Sequence, residues 1–457
     1  MIEIWDTLRR AMNGPLMDEQ KFNLELAHTI KDLIYEHGIH FDRNYIIKID
    51  FDVADRLFNA GLDLATRLGL YCMSTHRLIK FTRDEILDNI EKSKRELTLG
   101  DNKDRVVLKP QKLENFKDIV VFGGAPGIST PENLFEPLVK SYIIEPLIDV
   151  FIPPDFYTVY GQHTAPRSPL EIESSILKIR VSRKIMEEVG RPNMPIVLAN
   201  AAGTLYGDFG ILSQPELIKN DVFIVTIFGD LKIDYDNLGK ISLLHKKNID
   251  VMTLYEPVIG GFAGGPEGVA IASVAGFLLS NVVFGAIFHK VHPVHYKYLS
   301  TTHPDSLRVM NYVGQALVNN TNFVLAGNIS TVSGTGTEHI FYEIAANAIV
   351  ATINAQHPYG VCPTNGNYPH ASGLDARFMA EVAHSVLKSE ITWADASNVV
   401  RELLVLYNDV FDRQANGYSF DKAYDIHLLK PKNEIIKKYE KAKKILNELG
   451  LSVIEDF

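Results

Sequence analysis

The chain has 457 residues, 46% hydrophobic, 22% charged and 10% aromatic, too long for one small domain and too apolar for disorder. Its 56 acidic against 46 basic residues give a formal charge of -10, which argues against a general nucleic-acid binder, because phosphate contacts need a basic excess. With two cysteines, Cys72 and Cys362, the chain falls far short of a disulfide framework or a thiolate zinc site, and a reducing cytoplasm is expected.

The opening segment Met1-Ile2-Glu3-Ile4-Trp5-Asp6 lacks the basic region and apolar stretch of a secretion signal. Apolar residues at three- and four-residue spacing over 24–33, 53–68 and 82–97 predict a helical cap over residues 1–110. From Asp118 onward, short β-branched runs alternate with longer amphipathic stretches. Strands are predicted to begin at Asp118, Leu147, Met194, Asp221, Ile249, Val282, Asn322 and Tyr359. The intervening helices are predicted near 131–144, 169–189, 214–220, 235–248, 266–280, 305–319, 337–355 and 376–388. Eight such units over residues 111–390 predict an α/β fold, a (β/α)8 TIM barrel, followed by a helical extension over 391–457. An open doubly wound sheet is the alternative, but Gly123-Gly124-Ala125-Pro126-Gly127 is a weak dinucleotide signature. The apolar run 269–288 approaches the length of a membrane span, yet Ser280-Asn281 is expected to divide it into a buried helix and a Val-Val-Phe strand. No membrane contact is expected.

In such a barrel the active site lies where the strands' C-terminal ends meet the following loops. There the third strand leads into Asn200-Ala201-Ala202-Gly203-Thr204-Leu205-Tyr206, and the fifth into Tyr255-Glu256 and the glycine pairs Gly260-Gly261 and Gly264-Gly265. Those glycines let a backbone approach a flat or bulky ligand, or simply make a tight turn. Glu267 stands near a helix start, where it can complement the dipole. The sixth strand reaches His289, His292 and His295, but three-residue spacing along an extended strand sends neighbours to opposite faces, and no metal is expected. A single site histidine, His289 or His295, is the alternative. Cys362 reads as a buried thiol.

With these loops in view, several segments resemble the monomethylamine methyltransferase family. They are Leu57-Phe58-Asn59-Ala60-Gly61-Leu62, Leu70-Tyr71-Cys72-Met73-Ser74-Thr75-His76-Arg77, Gly260-Gly261-Phe262-Ala263-Gly264-Gly265, Pro293-Val294-His295, Ala326-Gly327-Asn328 and the run from Gly373 to Val382. The similarity runs from about residue 55 to the C-terminus. The resemblance implies a (β/α)8 barrel that passes the methyl group of an amine to cobalt(I) in a corrinoid carried by a separate small protein, with no tightly bound cofactor of its own. It also implies a homo-oligomer, a hexamer.

The family's members that act on monomethylamine carry pyrrolysine, and no such residue is written in this sequence. Alignment back from Asp230-Leu231-Lys232-Ile233-Asp234 places that position at Ile218, whose aliphatic side chain cannot form an imine adduct. Gly327-Asn328-Ile329 likewise lacks the glutamine of the family's Gly-Asn-Gln. The expectation is a pyrrolysine-independent enzyme for another methylated donor, such as a quaternary amine. Glu256, His289 and Asn328 are its expected catalytic residues, and Tyr206, Tyr255, Phe262, Glu267 and Tyr368 its substrate contacts. Gly260, Gly261, Gly264 and Gly265 form the expected rim for the corrinoid. A metal-assisted hydrolase or lyase, and a catalytically silent homologue that only binds the corrinoid protein, are the alternatives.

Overall fold

A computed structural model of the chain describes residues 4–199 and 204–454. Eight parallel strands close on themselves: β1 (Phe122–Gly124), β2 (Val150–Ile152), β3 (Val197–Leu198), β4 (Val222–Ile227), β5 (Asp250–Tyr255), β6 (Phe288–Val291), β7 (Val324–Ser330) and β8 (Gln356–Cys362). The first strand pairs with both β2 and β8, and the seam between β2 and β3 is closed by a parallel bridge from Phe151 to Ile196. These runs are nearly continuous in β-branched and apolar residues because parallel strands are covered on both faces. The expected (β/α)8 barrel is therefore the observed fold.

Four helices precede the barrel: α1 (Ile4–Asn13), α2 (Glu19–Glu36), α3 (Phe51–Leu68) and α4 (Arg83–Lys92). Around the strands lie α5 (Glu132–Ile143), α6 (Pro169–Glu188), α7 (Leu205–Leu212), α8 (Tyr235–Lys247), α9 (Pro266–Phe284), α10 (Pro304–Asn320), α11 (His339–Ile353) and α12 (Gly373–Ser389). Beyond them come α13 (Trp393–Tyr407), the single turn α14 (Phe420–Ala423) and α15 (Asn433–Glu448). The amphipathic α3 packs its buried stripe against α9 and α10, with Gly61 so close to Val274 that any Cβ there would collide with it. A hairpin of Leu97–Leu99 and Val106–Leu108 joins the core inside the barrel, where Leu97, Leu99 and Leu108 cluster with Phe122, Met252, Phe288 and Tyr359.

Two expected elements are corrected. Val282-Val283-Phe284 is not a strand: α9 runs unbroken past Ser280 and Asn281 to Phe284, and Gly285 ends it in the left-handed region at φ 67°. The sixth strand starts only at Phe288. The helix expected near 214–220 shrinks to a 3-10 turn, Pro215–Leu217, and the helix after β3 is α7, whose Thr204 hydroxyl accepts the Tyr206 N–H. α9 is long and apolar enough to cross a membrane, but 94% of that stretch is buried within the fold.

Candidate active site

A cavity of about 400 Å3, partly open to solvent, lies within the C-terminal half of the barrel. Period-two alternation along each strand decides what reaches it. In β5, Tyr255 points outward, with its ring edge-on to Phe277 and pressed against Gly276 of α9, and its hydroxyl donates to the Gly229 carbonyl at 3.1 Å. Glu256, the next residue, therefore faces in and lines the cavity.

Along β6 and just beyond it, Lys290 and His292 face in and His289 faces out. His292 Nδ1 lies 2.5 Å from Glu256 Oε1, and its Nε2 lies 3.4 Å from Ser330 Oγ, which in turn accepts from Asn328 Nδ2 at 2.8 Å. From β8, Tyr359 and Cys362 reach the same space. One extra residue in β8 after Gly360 shifts the register against Ile329 and Ser330, which puts Cys362 on the inner face. Asn328 Oδ1 and the Tyr359 hydroxyl are fully buried and without a hydrogen-bond partner among the described residues. Buried polar atoms are nearly always paired, so two orphans in one cavity wall mark a place for a polar ligand or ordered water.

Charge is distributed unevenly over this wall. Burial pushes the Glu256 carboxyl upward but is outweighed by His292 and Lys290, which hold it at about 2. Burial keeps the His292 imidazole below its ordinary value against the pull of Glu256. Burial also lowers the Lys290 amine, with Glu256 and Cys362 opposing, and raises the Cys362 thiol to about 12, with Lys290 opposing. Cys362 is a buried thiol, as expected. Two further lysines, Lys178 and Lys240, are buried but paired, with Asp155 at 2.6 Å and Asp208 at 2.5 Å.

Of the expected catalytic residues, Glu256 and Asn328 line the cavity and His289 does not. His289 is buried behind β6 against Phe277 and Phe323, at ring separations of 5.0 and 4.4 Å, and burial pushes it down to about 3. None of the expected substrate contacts lines the cavity. Tyr206, Phe262 and Tyr368 are partly exposed outside it, and Tyr255 faces α9. Glu267 clamps the N-terminal segment instead, binding the Arg43 guanidinium through both carboxylate oxygens and accepting from the Phe41 N–H. Ile218 follows the 3-10 turn ahead of β4, at the opposite end of the barrel from the mouth, where it flanks a separate shallow pocket with Asp221 and Asp250. It cannot hold a residue that works inside this cavity. Asn200 to Gly203 lie outside the described residues.

The glycine loop after β5 is a tight turn: Gly260 N–H donates to Gly264 O, and Gly264 N–H to Gly261 O. Gly260, at φ 93°, is covered by the Tyr296 ring, whereas Gly264 and the cavity-lining Gly127 have open space where a side chain would stand. These two positions leave room for a flat group to approach.

The three histidines of the sixth strand scatter: His289 behind it, His292 in the cavity and His295 on the rim, stacked on Tyr298 and tilted against His303. His295, His303 and Asp305 come close enough to share an ion. Their lone pairs are committed, however: Nδ1 of each histidine accepts a backbone N–H, and Asp305 Oδ1 already meets Arg43 and Arg308.

Sequence reading passed over Lys290, His292, Ser330 and Tyr359. Lys290, beside His289 in the short run Ala286–Val291, was the available signal, because a charge on a strand covered on both faces needs a reason.

A family model for "Monomethylamine methyltransferase MtmB" matches residues 2–451. The chain is 27% identical to monomethylamine methyltransferase MtmB2 of Methanosarcina acetivorans and 28% identical to MtmB of Methanosarcina mazei, over 98% of each chain in both comparisons. The crystal structure of Methanosarcina barkeri MtmB superposes with a TM-score of 0.94 at 26% identity, again over 98% of both chains, as does its hydroxylamine complex. The chain belongs to the monomethylamine methyltransferase MtmB family.

Proposed function

We propose that the protein moves a methyl group from a small methylated amine, held in the barrel cavity, to the cobalt(I) of a corrinoid carried by a small partner protein, without pyrrolysine. The observation that carries this reading is a cavity walled by an ionised Glu256 and by the orphaned Asn328 Oδ1 and Tyr359 hydroxyl, in a chain of this family. A corrinoid docked at the mouth would supply the electron pair that takes up the methyl group, and a donor bound as its ammonium would leave as the neutral amine, keeping the carbon–nitrogen pair.

The chain's own residues bind and orient. Glu256 places a negative charge beside the donor nitrogen, with His292 and Ser330 fixing its direction. Asn328 and Tyr359 are free to accept from, or donate to, the amine's polar substituents. Holding the donor carbon in line with the mouth turns a bimolecular encounter into a positioned one, the usual source of acceleration in displacement. An aromatic cage for a quaternary ammonium is not formed, since Tyr206, Tyr255, Phe262 and Tyr368 do not converge, so the carboxylate carries the recognition.

Open space at Gly127 and Gly264 supports docking of the partner's corrinoid at the mouth. Incubating the protein with reduced corrinoid protein and a panel of mono-, di-, tri- and tetramethylated amines tests the reading. Appearance of the methyl–cobalt(III) absorbance with one donor supports it. Partner binding without turnover of any donor would support the silent-homologue reading. The hexamer implied by the family is checked by sedimentation.

A further inference from the structure

Three lysines are buried in or against the cavity, and they are not alike. Lys178 and Lys240 each face a carboxylate. Lys290 has no such close partner: among the described residues its Nζ forms no ion pair within 4 Å and no hydrogen bond, Glu256 acts on it only from farther across the cavity, and it lies over the Tyr359 ring, 4.7 Å from the centroid. A paired buried lysine is structural, whereas an unpaired one is costly unless it works as a neutral amine.

We propose that Lys290 is a carbonyl-capturing residue, condensing with a small neutral aldehyde or ketone that enters the barrel cavity. In this step the amine lone pair attacks the carbonyl carbon, forming a carbon–nitrogen bond while the π pair moves to oxygen, which takes up a proton. The carbinolamine then expels its hydroxyl as water, and the nitrogen gives up one proton as the imine forms, so amine plus carbonyl yields imine plus water. His292, paired with Glu256 on the same inner face, is the group placed to carry those protons. Burial favours the neutral amine this chemistry requires.

The walls narrow the ligand class. Lys178 and Lys240 are committed to Asp155 and Asp208, and Glu256 faces the cavity as a carboxylate, so an oxo acid would find no free cation. Ile152, Ile224 and Leu254 offer apolar surface for a short alkyl chain.

The proposal stands on the cavity and not on methyl transfer, so failure of the corrinoid assay leaves it intact. The test treats the full-length protein at pH 7 with limiting acetaldehyde and cyanoborohydride, followed by peptide mapping. The expected result is a single ethyl group on Lys290, formed about tenfold faster than on any exposed lysine for each unit by which its amine is lowered. Selectivity should vanish in guanidinium and in K290R, which retains a cation but cannot form the imine, and pyruvate should react far less. Ethyl groups spread over exposed lysines with Lys290 untouched, in the native protein, would overturn the assignment.

Discussion

His289 and His292 lie three residues apart at the same strand, yet they occupy different chemical worlds. His289 sits behind the barrel between Phe277 and Phe323, with both ring nitrogens unpartnered among the described residues. His292 sits in the cavity against Glu256. The same residue type is packing material on one face and part of a polar site on the other, and only strand alternation separates the two. The contrast extends along the barrel: Tyr255 and Glu256 are neighbours, one buttressing α9 and the other lining the cavity.

The sharpest way to break this division is Glu256→Gln, which keeps shape and removes the inner charge. Methyl transfer should fall about 100-fold or more, as when a stabilising group is removed from a reacting centre, while the urea midpoint stays close to that of the parent. On the outer side, Gly276→Ala drives a methyl into the Tyr255 ring and should cost about 1–3 kcal/mol in urea unfolding. Turnover of the folded fraction should be retained.

The pH dependence of stability tests the outer histidine. His289 takes up its proton near pH 3 in the fold but at about 6.5 when unfolded. Between those values the unfolded chain binds more protons, so stability that is full above 6.5 erodes as the pH falls toward 3. His289→Leu should flatten this acid slope, measured by urea titration from pH 7 to pH 4. His357, buried and also held at about 3, should keep part of it in that variant. The smallest effects belong to Tyr206→Ala and Phe262→Ala, where partly exposed rings outside the cavity are removed. Stability should change by no more than about 0.5 kcal/mol and turnover by less than about twofold.

The barrel was legible because β-branched runs and amphipathic stretches alternate eight times, and burial on both faces leaves that pattern in the letters. The α9–β6 boundary was not, since Val282-Val283-Phe284 suits a helix or a strand and only the left-handed Gly285 decides. At the site, Glu256 and Asn328 could be read from their place at strand ends. His289 was chosen over His292 because alternation tells only that two residues three apart lie on opposite faces, not which face is the inner one. The aromatic contacts failed for a different reason: loop residues near a mouth can turn away from it, as Tyr206 and Tyr368 do. Ile218 was misplaced because alignment by nearby letters does not tell which end of the barrel a segment occupies.

On the proposed reading, a crystal structure with a methylated amine bound would decide where the donor is held. The expected density lies within the barrel, the amine nitrogen toward Glu256 and the methyl carbon facing the mouth between Gly127 and Gly264. Density outside the cavity, against Tyr206, Phe262 or Tyr368, with the interior filled by water alone, would contradict it.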